Sequence, residues 1–274
     1  MYGTQYGQTY VIFPPLFGHQ YSHCWIDFRY IQDAYMRGKG ITYFENSRRA
    51  TYAQRAYSIA NPLNRVAYGD SLWGITAGDG PNGYIARGAP PSQNDDGTIS
   101  PTAPASSIPF APEICIPAVR NLYNTYSGSI WGDYAFTDAF NPTHSWWDLD
   151  VIGIDQGPMV LMVENWLTGS VWNRFMRNAD VQRGLQHAGF TRVNAAVDPF
   201  TPALQVVAND PNPFRIAATI RYRLPSAASS APVGLLRRRG PRGRASLRGP
   251  EAAGFHDARA GRRAASRAAS TTRG

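Results

Sequence analysis

The sequence predicts an all-α protein. Two observations carry that reading. Apolar residues recur at helical spacing in six segments, whereas only one segment, 214–223, alternates in the manner of a strand. The breakers are also placed where helices need them: Gly38 and Gly40, Asn61-Pro62, Gly128 and Gly189 each follow a periodic stretch.

In order, the first predicted helix spans 22–36, with Trp25, Phe28, Ile31 and Tyr35 at helical intervals. The second covers 43–60 and stops at Asn61-Pro62, because the residue before a proline is biased away from helix. A long stretch rich in Pro, Gly, Asn and Asp follows, 63–111. Its interleaved Trp73, Tyr84, Ile85 and Phe110 argue for an ordered, functional loop over a disordered one. Pro112-Glu113 opens a third helix that buries Cys115, Ile116, Val119, Leu122, Tyr123 and Tyr126. Beyond a second aromatic loop, 128–154, helices are expected at 157–167 with Asp155 as a cap, at 170–177 and at 180–188.

Composition divides the chain at 224/225. Of the 27 Lys+Arg and 19 Asp+Glu, eleven arginines but only Glu251 and Asp257 lie in 225–274, a net of +9, which leaves residues 1–224 at −1. The overall +8 therefore reports a tail of Arg, Ala, Gly, Ser and Pro. It has no apolar periodicity and is expected to be disordered. The body has no general attraction for phosphate, so no specific nucleic-acid partner is expected and a neutral polyhydroxylated ligand suits it better. Cys24 and Cys115 lie far apart, with neither disulfide nor metal spacing. No apolar run approaches the roughly 20 residues of a membrane span, and residues 1–17 lack the pattern of a signal peptide.

Three patterns suggest chemistry. His19, His23 and Asp27 are spaced by four, which would put them on one helix face with Gln20 and Arg29 nearby. Zinc is not expected there, since Gln20 stands where a metalloprotease has its glutamate and no third ligand is evident. A hydrogen-bonded polar face lining a cleft, or one that contacts sugar hydroxyls, fits the same residues. Gly69-Asp70-Ser71-Leu72 imitates a lipase nucleophile motif, but no histidine has an aspartate three positions before it. The carboxylates matter more, because glycoside hydrolysis typically needs two. Asp27, Glu45, Asp79, Glu113, Asp138, Asp155 and Glu164 are candidates. Each has a structural rival: Glu45 can pair with Arg48 or Arg49 on its own helix, Glu113 can favour a helix N-terminus, and Asp138 can be a turn residue. Asp79 is hardest to explain away, since the loop 73–81 presents it beside Trp73.

Seven runs then occur in order: PPLFGHQYSHCWIDFR, YFENSRRATYAQRAY, LWGITAGDGP, YIARGAPPSQNDDGTISPTA, SIPFAPE, YAFTDAFNP and GIDQGPMVLMVENWLTG. Together they resemble the glucoamylase-like family that includes bacterial endo-β-1,2-glucanases, which is similar in turn to the transglycosylating domain of cyclic β-1,2-glucan synthases. The resemblance covers most of 14–190. It implies an (α/α)6 toroid, a glucan substrate and no cofactor. It also implies hydrolysis or transglycosylation by two carboxylates, and a bacterial periplasmic or exported parent protein. Asp79 stands at the acidic position of the WGxTAxDGP-like loop and Glu45 in the FEN-like motif. With Glu113 in reserve, these are the implied catalytic residues. His19, Gln20, His23, Asp27, Arg29, Trp73, Asp138, Asp155 and Glu164 are the implied substrate contacts. Twelve helices with their loops need more than about 300 residues, whereas about six are visible here. The expectation is an incomplete toroid lacking its N-terminal portion, with helix faces open to self-association. The alternative reading is a non-catalytic fragment or glycan-binding module.

Overall fold

The computed structural model describes residues 1–193 throughout. Beyond them it describes the backbone of the strands at 205–210, 217–224, 228–235, 243–251 and 254–261. The chain forms two compact units, Met1–Asn194 and Ala195–Gly274, so the compositional boundary at 224 falls inside the second.

The first unit is helix-rich. It opens with a hairpin of β1 (Tyr2–Gln5) and β2 (Gln8–Val11). Tyr6 and Gly7 turn it with φ of 48° and 76°, the sign a two-residue primed turn requires. Short 3-10 turns follow at Leu16–His19 and Tyr21–Cys24. Then come β3 (Ile31–Gln32) and α1 (Ala34–Lys39). The continuous helix expected over 22–36 is therefore a correction. Asp33 starts a new helix by accepting the Met36 amide at 2.8 Å, and β3 is drawn out to pair with β8 (Thr191–Arg192). Phe28 and Ile31 are buried while Trp25 and Tyr35 are exposed, so the four aromatic and aliphatic residues share no face.

Helix α2 (Tyr43–Ala60) begins and ends as predicted. Thr42 caps it through the Glu45 amide at 3.1 Å, and Asn61 leaves it in the left-handed conformation. It buries polar groups as well as apolar ones. Gln54 donates to the Ile75 and Ala89 carbonyls and accepts from the Ile75 amide. One buried side chain thus organises the long loop, which is ordered as expected and contains α3 (Thr102–Ser106). Helix α4 (Pro112–Ile130) has Pro112 in its first turn.

Two small hairpins fill the next loop. One is β4 (Trp131–Gly132) with β5 (Ala135–Phe136), the other β6 (Phe140–Asn141) with β7 (Trp146–Trp147). Helices α5 (Gly153–Leu167), α6 (Ser170–Phe175) and α7 (Ala179–His187) complete the unit. Three buried clusters hold it together, centred on Ile75, Leu122 and Phe140, on Trp73, Ala53 and Cys115, and on Phe28, Phe110, Met162 and Trp172. Both cysteines are free and buried. Among the described residues, no helix is long and apolar enough to cross a membrane.

The second unit contains a three-stranded antiparallel sheet in the order β13 (Gly254–Gly261), β10 (Ala217–Leu224), β9 (Gln205–Asp210). Beside it in sequence runs the antiparallel ribbon of β11 (Ala228–Leu235) and β12 (Gly243–Glu251). Strand β10 matches the alternating run at 214–223. The segment expected to be disordered from 225 onward includes the described strands β11, β12 and β13. Ladder pairing joins backbone N–H and C=O groups whatever the side chains, so a composition with no apolar face does not preclude it.

Candidate active site

Four aspartates from three separate segments meet in the first unit. Asp79 lies on the loop after Trp73, Asp138 and Asp148 flank the β6–β7 hairpin, and Asp155 sits in the first turn of α5. The hairpin register sets the first pairing. Phe140 faces Trp147 with rings stacked at 5.5 Å. The ladder continues outward through the Asp148 amide to Ala139 O at 3.1 Å and the Asp138 amide to Asp150 O at 2.9 Å. Asp79 joins through its backbone, whose N–H donates to Asp138 Oδ2 at 2.7 Å. Carboxylate oxygens of Asp79, Asp138 and Asp148 all lie within 4.8 Å of one another.

Burial decides how this cluster behaves. Asp138, Asp148 and Asp155 are buried, while Asp79 is partly exposed and is the member that reaches solvent. Burial, then a hydrogen bond and the charge of Asp138, push the Asp155 pKa up to about 9. Asp155 is therefore protonated near neutrality. Asp138 Oδ1 and Asp155 Oδ2 are both buried, and the protonated Asp155 carboxyl can donate to Asp138. Burial and the neighbouring Asp138 and Asp150 also raise the Asp79 pKa, with Arg87 opposing. Asp148 is raised for the same first reason, burial. Carboxylates this close can bind a hard cation or share protons. The Asp138–Asp155 contact favours the proton.

Asp155 also yields a stability prediction. Its folded pKa of about 9 lies above the unfolded value of 3.8. The group's contribution is full below pH 3.8 and is lost as pH rises towards 9, because the unfolded chain ionises first. Asn at 155 cannot ionise and keeps a donor towards Asp138. Asp155→Asn is expected to fold and to be more stable than wild type at pH 8. The melting-temperature difference between the two proteins should shrink as pH falls towards 4, as measured by thermal unfolding across that range.

Glycines shape the Asp79 loop. A Cβ on Gly78 would lie 3.0 and 3.1 Å from the Asp138 carboxylate oxygens. Behind the loop, Arg87 is fully buried and bonds Asp96, Gly78 and Asp79. Tyr21, partly buried, borders the cluster. Burial and then Asp155 push its pKa up to about 12, so its hydroxyl stays a neutral donor.

Of the sequence-predicted site residues, the structure brings Asp79, Asp138 and Asp155 together. Asp155 is not a helix cap, since Ile152 holds that position. Glu45 and Glu113 gather elsewhere, around Arg48. Arg48 lies 3.9 Å from Glu45 and 3.5 Å from Glu113, Arg49 bonds Glu45 at 2.8 Å, and Tyr52 donates to Glu113.

The remaining residues expected to contact substrate make contacts within the protein. Trp73 is fully buried in the core and has no face to offer a sugar. His19 and His23 are buried, and burial lowers their pKa values to about 4 and about 3. His19 bonds Phe13 O and Asn46, and His23 bonds Ser47. Gln20 donates to Ala103 O and Ser107. Arg29 forks onto Asp27 and lies over Trp172. Glu164 accepts from Thr168 and Ser170 at the end of α5.

Sequence reasoning missed Asp148, Tyr21 and Arg87. The symmetric placement of Asp138 and Asp148 about the turn that begins at Asn141-Pro142 was a usable signal. The fork of Arg87 onto Asp96 left none.

A curated relative, the exo β-1,2-glucooligosaccharide sophorohydrolase (non-reducing end) of Parabacteroides distasonis, is 37% identical over 172 residues, which is 63% of this chain and 23% of that protein. The endo-β-1,2-glucanase of Chitinophaga pinensis, solved with sophorotriose and glucose, superposes with a TM-score of 0.64 at 34% identity, over 73% of this chain and 47% of that one. A crystal structure from Bacteroides uniformis gives 0.65 at 39% identity, over 73% and 47%. The chain thus spans about half the length of these solved relatives and about a quarter of the curated one. Residues 2–179 match the family model described as "Putative glucoamylase", which is also the description of the Bacteroides uniformis protein, and the chain belongs to that family.

Proposed function

We propose that this chain carries the acid-bearing part of a glycoside hydrolase for β-1,2-linked glucan, built on helices of an (α/α)6 toroid. The observation that carries the reading is the partly exposed Asp79 standing over the buried carboxyls of Asp138 and Asp155. A general acid must hold its proton at working pH, and neighbouring carboxylates with burial provide that. Asp79 would give its proton to the glycosidic oxygen, so the leaving sugar departs as a neutral alcohol. Water adds to the anomeric carbon and loses its proton to a second carboxylate across the ring. Glu45 and Glu113 are the candidates for that second group. The linkage is argued from the activities named for the two β-1,2-glucan relatives, and the neutral body charge is compatible with such a substrate. Incubation with purified β-1,2-, β-1,3- and β-1,4-glucans, reading reducing ends and binding together, tests the proposal. Binding without release of reducing ends would select the alternative, a glycan-binding module. The ion pairs of Glu45 and Glu113 are the observation that favours that alternative.

Self-association is part of the same reading. Helix α5 is apolar around most of its circumference, a pattern suited to burial on all sides. Met159 and Met162 face the core, but Ile154, Val160 and Leu167 are 60%, 65% and 56% exposed. Concentration-dependent oligomers are expected in sedimentation, and Val160→Lys should reduce them without unfolding the helix. A monomer at every concentration would contradict this.

A further inference from the structure

We propose that Arg87, gripped by Asp96, is the positioning residue that fixes where the Asp79 carboxyl is presented. The inference rests on the reading of Asp79 as the acid.

A guanidinium with no exposed surface is expensive to bury and is tolerated only where its donors are used. Arg87 uses them in two directions. Nε and Nη2 fork onto the two carboxylate oxygens of Asp96 at 2.8 and 2.9 Å, while Nη1 donates to Gly78 O at 2.8 Å and Asp79 O at 3.2 Å. The Asp79 residue is thereby held at both ends of its backbone, its N–H by Asp138 and its carbonyl by Arg87. Fixing the peptide groups on both sides sets the direction of the Cα–Cβ bond that carries the carboxyl.

Asp96 is itself anchored. Its carboxylate accepts the Thr98 amide at 3.1 Å, and its carbonyl accepts Asn141 Nδ2 at 3.1 Å. Asn141 belongs to β6, the strand that follows Asp138. The clamp therefore ties the Asp79 loop to the hairpin that supplies the other carboxylates. The Gly78–Ile85 bridge folds the loop back so that Arg87 comes to lie beneath it. Gly80 makes the approach possible: a Cβ there would lie 1.9 Å from Arg87 Nη2. A salt bridge that served packing alone would not need loop carbonyls, nor a glycine against its guanidinium.

Two variants separate positioning from packing. Gly80→Ala keeps both charged partners but forces the guanidinium off the loop. Arg87→Lys keeps the charge and loses the fork. Each is compared with wild type by kcat and KM on β-1,2-glucan and by carboxyl NMR titration of Asp79. The expected result is a loss of about 100-fold in kcat with KM little changed, together with a shifted Asp79 carboxyl signal. In Gly80→Ala the Asp79 titration should move upward, since the displaced Arg87 is the neighbour that opposes its rise. Folded variants with wild-type kcat and an unmoved Asp79 signal would overturn the proposal. If wild type cleaves no glucan, the hydrolase reading fails, and the NMR arm still decides the clamp. If neither variant folds, hydrogen exchange on wild type decides it. The clamped Arg87 guanidinium N–H protons exchange far more slowly than those of exposed arginines, and exchange at the exposed rate would overturn the assignment.

Discussion

Asp79→Asn is expected to lower kcat for glucan hydrolysis by about 10²- to 10⁴-fold, the range that proton transfer by a positioned side chain supplies. The substitution changes shape very little. The backbone N–H to Asp138 and the carbonyl to Arg87 do not involve the side chain, so the loop should keep its course. Stability should be equal or slightly higher, because Asp138 and Asp150 repel the ionised Asp79. In wild type the same repulsion, with burial, holds the proton to higher pH than an ordinary carboxylate would. The alkaline fall in activity should therefore lie above the usual carboxylate range and disappear as a feature in the variant's residual rate. Circular dichroism and thermal unfolding show whether the fold is intact, and reducing-end assays give the rate. A folded variant with wild-type rates would remove Asp79 from the reaction.

Trp73→Ala is expected to cost about 3–5 kcal/mol of stability, the range for deleting a large aromatic from a core. Trp73 is fully buried in a cluster with Leu16, Ala50, Ala53, Ala103 and Cys115. Trp73→Phe, which fills part of the volume, should cost less. Chemical denaturation of the three proteins gives the comparison. The outcome separates two roles. A core tryptophan loses stability on truncation. A stacking platform would lose glucan affinity and keep its melting temperature, and that result would contradict the placement found here.

These two residues also show what the sequence made legible. Trp73 and Asp79 lie six positions apart in one conspicuous loop motif, and the motif drew attention to both. It could not say that one faces the core and the other solvent. That depends on Gln54 reaching across from α2 to hold Ile75, a contact between segments with no shared pattern. The long regular elements, α2, α4 and α5 to α7, were readable because periodicity and breakers agree along them. The stretch 22–36 carried the same apolar spacing without being a helix, since Asp33 and the pairing of β3 with β8 interrupt it. Asp138 and Asp155 were on the candidate list as separate residues. Their contact was invisible, because it is made by a hairpin and a helix start that meet only in three dimensions. Glu45 is legible in two ways. Its motif points to chemistry, Thr42-x-x-Glu45 also has the spacing of a helix-capping box, and the carboxylate pairs with Arg49.

The most direct measurement of the central claim is release of reducing ends from purified β-1,2-glucan by this chain and by Asp79→Asn, with β-1,3- and β-1,4-glucans as comparators. The account predicts cleavage of the β-1,2-glucan in preference to the others, and its loss in the folded variant. Cleavage that survives Asp79→Asn, or a folded wild-type protein that neither cleaves nor binds β-1,2-glucan, would contradict it.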